Sequence, residues 1–455
     1  MNQAILLSNG RIIDGTGAEP FFGSVLVEGS QISAVGEQAD ARVRHINNGL
    51  QRVDATGLTI MPGLIDAHCH LSFDDAASNL EIFHQRRNAL SALVASYNAR
   101  KLLRAGVTSM LDPDSVHENM VDLRDAIEAG IVPGPRMSVG CYALITAVGG
   151  TAGRLIADEG VTGYYKVVQG ETEIVAEVRR QIKVGADWIK VHVSGVVPRY
   201  AHLGERCSFL QEELDLICRV AHDMGVPVMG HCRGAEATYR AAKAGMDLIF
   251  HATGMDERAM QAIIDRRIPV APCFTFQANM VDFGHRLGTD PALIALFERE
   301  IMDSSASLTA LHRAGVPLLT GSEAGFSMVP YGHWHYREME VFQRYFGMST
   351  LQAIQCGTQM GAHAMKMAGQ LGVVAPGMKA DLLCIAGDPA ADLAVLGRPE
   401  AIRHVFLDGR EQDLTPLEPR RNISGWRMPT MGNTLTPQVA QGESVTLETE
   451  FNELH

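Results

Sequence analysis

The alternation of apolar and polar positions changes character twice along this chain. Over residues 1–60, apolar runs at 4–7, 11–13, 23–27 and 31–35 are separated by turn pairs such as Asn9-Gly10 and Asp14-Gly15. That spacing predicts short hairpin strands, too few to close a core alone. The complement lies near the other end, in Gly377-Met-Lys-Ala-Asp-Leu-Leu-Cys-Ile and in residues 401–406 followed by Asp408-Gly409. One small β-sandwich domain built from both termini is expected, from 1–60 plus 370–412. Between them, over 61–369, buried-strand runs alternate with amphipathic helical stretches. Eight strands are predicted, at 64–68, 107–111, 136–141, 188–193, 227–231, 248–251, 268–272 and 317–320. A helix is predicted over 210–224, with Leu214, Ile217, Cys218 and Ala221 on one face and Gly225 just past its end. Eight parallel strands alternating with helices predict an α/β fold of the (β/α)8 TIM-barrel kind, which carries its site at the strands' C-terminal ends. Residues 413–455 lack periodicity and end in acidic residues; an extended tail, or an arm on a neighbouring subunit of a homo-oligomer, is expected.

Composition narrows the function classes. Hydrophobic residues make up 46% of the 455, enough for a sizeable core, and the formal net charge of −13 argues against nucleic-acid binding. The eight cysteines show no CxxC spacing, and several fall inside apolar strands or helices (Cys141, Cys218, Cys273). They read as packed, reduced thiols. The opening MNQAILLSNG lacks the basic region of a signal peptide, and no apolar stretch approaches the ~20 residues of a membrane span. A cytoplasmic protein acting on a small molecule, away from membranes, is the expectation.

Candidate chemistry gathers at the predicted strand ends. In Met61-Pro-Gly-Leu-Ile-Asp-Ala-His-Cys-His70 the strand period of two turns His68 and His70 to one face, with Asp66 one step lower and Cys69 opposite. Strand four carries Lys190 and His192, strand five ends in His231, strand six in His251, and strand eight runs into Gly321-Ser322-Glu323. A buried lysine is costly unless paired or modified. His68, His70, His231 and His251 with a lysine and a carboxylate at one rim suit a metal site far better than packing.

These motifs resemble the metal-dependent amidohydrolase superfamily. They are PGLIDAHCH, GVTSMLD, Gly134-Pro-Arg136, GADWIKVHVSG, the His231 and His251 pair, and GVVAPGMKADLLCIAGDP. The chain is nearest the branch of imidazolonepropionase-like enzymes, Xaa-Pro dipeptidases and ochratoxinase-type amidases, with molinate and phenylurea hydrolases as further relatives. The resemblance implies divalent metal, zinc ahead of manganese or cobalt, as one or two ions on His68, His70, Lys190, His231, His251 and Glu323. It also implies that Lys190 is carboxylated and bridges two ions. Glu323 departs from the family pattern, which has aspartate there. The longer side chain is expected to act as the proton-shuttling base, with His251 as a second catalytic residue and weaker direct ligation by Glu323. His192 stands where the branch has an apolar residue.

The implied reaction is hydrolysis of an amide, urea or carbamate C–N bond by metal-activated hydroxide. For substrate binding the candidates are His192, Arg199, Tyr200 and His333. Phe274, Phe276, Phe326, Met328, Tyr331, Trp334 and Tyr336 are expected around the mouth and favour an apolar or aromatic substrate. A dipeptidase would need a cation for the substrate carboxylate, for which Arg199 is the candidate. A nucleobase-type deaminase shares HxH but usually lacks the strand-four lysine. A non-enzymatic scaffold would not need every histidine.

Overall fold

The computed structural model describes residues 4–46, 49–83, 86–151, 153, 156–157, 161–197, 204–418, 420 and 434–443. Both ends of the chain enter one eight-stranded sheet. From the N-terminal side come Ala4–Ile12, Phe21–Glu28, Gln31–Val35, Leu50–Asp54 and Leu58–Pro62; from the other come Leu382–Ala386, Ile402–Leu407 and Arg410–Glu411. The period-two alternation sets the two faces. Ile5, Leu7, Val25, Val27 and Ile32 join Ile60, Leu382, Cys384 and Phe406 in one apolar cluster, while Leu6, Leu26 and Ala34 pack on the opposite face against Ala39. Fully burying each such Leu or Ile contributes about 1.5–3 kcal/mol. Leu58–Pro62 is the seam, parallel to Ala4–Ile12 on one side and antiparallel to Leu382–Ala386 on the other.

One glycine separates that seam from the first strand of the middle region. At Gly63 a Cβ would stand 2.0 Å from Thr108 Oγ1 and 2.7 Å from its Cβ, so the packed Thr108 side chain leaves no room for a larger residue. The strands Leu64–Asp66, Val107–Asp112 and Arg136–Val139 form a parallel three-stranded sheet. Ala143–Ile145, Ile189–His192, Val228–Arg233, Leu248–Thr253 and Val270–Ala271 are parallel neighbours in a seven-stranded sheet, extended past Ala143–Ile145 by two short strands. With helices interleaved, the fold is mixed α/β, and the pairing leaves these two sheets separate. Backbone hydrogen bonds still reach across. Asp187 N and Trp188 N both donate to Val139 O, and Ala67 N donates to Thr320 O at 2.9 Å.

The strand expected at 317–320 is reduced to an isolated parallel bridge between Val270 and Leu318. Beyond it the backbone donors turn to other partners: Ser322 N donates to Asp66 Oδ1 and Glu323 N to His68 O. The predicted 210–224 helix runs Gln211–His222 with the expected face buried. The described part of the C-terminal tail lies on its own chain. Arg104 and Tyr97, on helix Asn88–Arg104, donate to the carbonyls of Leu414 and Glu418. Farther on, Leu435 is fully buried; its N donates to Ser327 O and its O accepts from the Trp334 indole, ahead of a short helix Pro437–Gln441. All eight cysteines are free, and among the described residues no helix is long and apolar enough to cross a membrane.

Candidate active site

Strand Leu64–Asp66 stops before the histidine pair, and side-chain contacts take over from the ladder. Asp66 Oδ1 accepts from His68 N at 3.1 Å and from Ser322 N at 3.0 Å, tying the first strand's loop to the stretch that carries Glu323. Asp66 Oδ2 accepts from Ser322 Oγ and from His335 Nδ1 at 2.7 Å. So anchored, His68 and His70 turn their Nε2 atoms to within 3.1 Å of one another. The Glu323 carboxylate sits among them, 3.6 Å from His68 Nε2, 3.4 Å from His70 Nε2 and 3.6 Å from His251 Nε2. The extra methylene of glutamate does not carry the carboxylate away from the imidazoles.

The partners of the far nitrogens decide which way each ring presents its lone pair. His70 Nδ1 faces the Asp114 backbone oxygen at 3.0 Å and Asp114 Oδ1 at 3.1 Å, both acceptors, so it carries a proton. His68 Nδ1 lies 3.4 Å from Cys273 Sγ. Two Nε2 atoms at 3.1 Å are tolerable only with a proton or a cation between them. Without metal His70 takes the proton: burial works against its charge, but Asp114 outweighs burial and lifts the imidazole to about 10. Burial holds His68 well below the usual histidine range, so it stays neutral. Burial would raise Glu323, but the facing His68 and His70 imidazoles hold its carboxyl well below the usual range. His251 is buried with no partner for Nδ1, and burial, with His231 next, keeps it neutral. A carboxylate ringed by three imidazole nitrogens is a donor set that fits a divalent ion.

The remaining predicted ligands form a second group around two acids that the sequence reading did not single out. Asp114, buried beyond strand Val107–Asp112, holds Lys190 Nζ at 3.3 Å and His192 Nε2 at 3.1 Å as well as His70. Lys190 is fully buried, its Nζ 4.4 Å from the centre of the Phe250 ring. His231 Nε2 meets Glu205 Oε2 at 2.9 Å. Burial opposes ionisation of Glu205, but His231 and Arg233 draw the carboxyl down to about 2. His192 stacks on His231 at 4.5 Å, and burial together with that neighbour lowers it to about 3. The signal for Asp114 was available: a carboxylate just past the end of a predicted barrel strand. Glu205 comes from a hairpin, Ser194–Val196 with Glu205–Cys207, that no periodicity marked.

The substrate-side expectations divide. Arg199 and Tyr200 lie outside the described residues. His333 is half-buried beside Lys101, Arg104 and His335, and burial with the Lys101 charge lowers it to about 4. It is the neighbouring His335, not His333, that reaches the Asp66 network. Of the expected mouth aromatics, Phe276 and Phe326 are partly exposed and 5.7 Å apart. Phe274, Met328, Tyr331, Trp334 and Tyr336 are buried packing residues; Tyr331, for one, bonds the His70 carbonyl through its hydroxyl. The wall beside the metal-type cluster is completed instead by Phe73, stacked on His70 at 4.2 Å, and by Tyr164, 4.8 Å from Phe73.

Comparison with known proteins places this geometry in context. The sequence profile described as the amidohydrolase family matches residues 59–411. Ochratoxinase of Aspergillus niger is 26% identical over 436 residues, covering 90% of this chain and 86% of the relative. Imidazolonepropionase of Chloroflexus aggregans is 24% identical over 390 residues, covering 80% and 85%. Among solved structures, a Xaa-Pro dipeptidase with bound methionine superposes with a TM-score of 0.76 at 27% identity, over 90% of this chain and all of that one.

Proposed function

Because the chain belongs to the amidohydrolase family, hydrolases of carbon–nitrogen bonds, we propose that it cleaves an amide, urea or carbamate bond in a small molecule carrying an aromatic or apolar group. One divalent ion, zinc ahead of manganese or cobalt, is held by His68, His70 and Glu323, with His251 beside it. The observation that carries this reading is the Glu323 carboxylate lying 3.4–3.6 Å from three imidazole nitrogens. An ion bound there supplies Lewis acidity, polarising the scissile carbonyl and making water a nucleophile near neutral pH. Glu323 keeps its proton-accepting form over the working pH range and passes the proton to the leaving nitrogen. His251, neutral and with a free Nδ1, is placed to steady the developing oxyanion in its protonated-nitrogen form. Phe73, Tyr164, Phe276 and Phe326 bind the apolar part and exclude water.

In the single-ion form Lys190 pairs with Asp114, which lies 3.3 Å from its Nζ. A carbamate on Lys190 with a second ion on His231 and His251 is the alternative. We also read the two parallel sheets as one (β/α)8 barrel, supported by the hydrogen bonds from Trp188 to Val139 and from Ala67 to Thr320. The eight-stranded sheet, with apolar clusters on both faces, is then the sandwich domain of the termini.

The test is metal analysis of protein purified without chelator, followed by hydrolysis of N-aryl ureas, aryl carbamates, N-acyl amino acids and Xaa-Pro dipeptides. About one equivalent of metal, most of it lost in His68→Ala, and turnover of an aryl or acyl amide are expected. Two equivalents would favour the carbamate form. Preference for dipeptides would favour the peptidase reading, which needs a cation for the substrate carboxylate; Arg233, near the site, is already engaged by Glu300 and Glu205. Full activity in metal-free protein would reject the mechanism.

A further inference from the structure

The proposed chemistry leaves Cys273 without a task, although its sulfur belongs to the site. Donor atoms of His68, Cys273 and Glu323 lie within 4.8 Å of one another. The fully buried thiol donates to Ala271 O at 3.3 Å, and the same sulfur faces His68 Nδ1 at 3.4 Å. With its own proton committed to a carbonyl, Sγ is free to accept from Nδ1–H. Its backbone is unusual too. Cys273 has φ of +57°, as His251 has +69° and Glu323 +58°. Left-handed conformations in residues other than glycine are strained and gather at functional sites.

The surroundings hold the sulfur in place from two sides. Glu338, fully buried on helix Arg337–Phe346, accepts from Phe274 N, Thr275 N and Thr275 Oγ1, which pins the two residues that follow Cys273. On the other side, a Cβ at Gly321 would stand 2.8 Å from both Cys273 Sγ and His68 Cβ, so glycine there allows the three backbones to meet.

We propose that Cys273 is a positioning residue that fixes His68 in the metal-binding tautomer, its sulfur accepting the hydrogen bond from Nδ1 so that Nε2 presents a lone pair toward His70 and Glu323. The proposal rests on the metal reading above. It assigns the sulfur to the outside of the site, because the two nitrogens of an imidazole point in divergent directions. A sulfur facing Nδ1 does not share an ion bound at Nε2. Partners of this kind typically change metal affinity by about 10–100-fold when removed.

Zinc affinity, measured by competition with a chromophoric chelator, gives the main test. Cys273→Val keeps a similar volume without an acceptor and should bind zinc about 10–100-fold more weakly. Cys273→Ser keeps an acceptor and should lie closer to the wild type than to the valine variant. Equal affinity in Cys273→Val overturns the proposal. A thiolate-to-cobalt charge-transfer band in the cobalt-loaded wild type, absent from Cys273→Ser, also overturns it, since the sulfur is then a ligand. Should the valine variant fail to fold, nitrogen-15 NMR of the metal-free wild type decides. A proton on His68 Nδ1 is expected, and its absence overturns the proposal with the metal reading intact. A wild type that takes up neither zinc nor cobalt while His68 Nδ1 is protonated overturns the metal reading instead.

Discussion

At the scale of single residues, Glu323 matters most to the reading of the site. A glutamate where the family resemblance implies aspartate leads to the expectation of a carboxylate displaced from the metal by about one bond length. The structure absorbs the difference in the backbone: Glu323 takes a left-handed conformation, its N–H held by the His68 carbonyl, and the carboxylate stays among the three imidazoles. Direct ligation together with proton transfer is therefore the expected role. Glu323→Gln preserves size and removes the charge. It should bind metal less tightly at limiting concentration and, when saturated with metal, turn over about 10²–10⁴-fold more slowly. Metal retention after gel filtration and kcat under metal saturation measure the two effects separately. Undiminished retention with a lost kcat would leave Glu323 as a base alone.

At the scale of elements, the parallel strands were legible in the sequence because buried runs of Val, Ile and Leu carry a strong signal. Residues 107–111 and 248–251 reappear as Val107–Asp112 and Leu248–Thr253. The stretch at 317–320 was not legible as a single bridge, since its irregularity comes from Asp66 and His68, far away in the chain. For the same reason the histidines and Lys190 could be named in advance, while Asp114, Glu205 and Cys273 could not be given partners. Glu338 is a related case, a helix residue whose work is to hold the start of helix Thr275–Phe283. Burial raises its carboxyl to about 8 against the pull of its N–H donors. A folded-state value above the ordinary one means that the native form holds the extra proton between about pH 4.5 and pH 8. Across that window this group's contribution to stability falls as pH rises. Urea unfolding of the wild type and of Glu338→Gln over that range should show a shallower pH dependence in the variant. Parallel curves would mean that the N–H donors keep Glu338 ionised throughout.

At the scale of the whole molecule, the hydrophobic pattern leads one to expect a domain made from both termini, and strands from both sides of the chain pair in one eight-stranded sheet. An aperiodic acidic stretch gives no sign in the sequence of where the C-terminal tail docks. Among the described residues, buried Leu435 and Val439 anchor it, with Leu435 backbone contacts to Ser327 and the Trp334 indole. These contacts hold the loop that leads from Glu323 through Phe326 at Ser327 and Trp334. Leu435→Ala should speed hydrogen exchange of amides in residues 325–336 by about tenfold, corresponding to loss of ~1.4 kcal/mol of local stability, and should raise KM more than it lowers kcat. Unchanged exchange in that loop would mean that it is held by the backbone contacts alone.

The seam strand Leu58–Pro62 has a consequence for the order in which the protein is made. It leads directly into His68 and His70, yet one of its edges is completed only by Leu382–Ala386, which a ribosome delivers after the entire middle region. Chains generally acquire structure from the N-terminal side during synthesis, so the approach to the histidine pair stays half-paired until residues 382–386 have been made. A message truncated before residue 382 thus yields a chain that carries most of the site residues but leaves their leading strand with an open edge, a ready target for quality control.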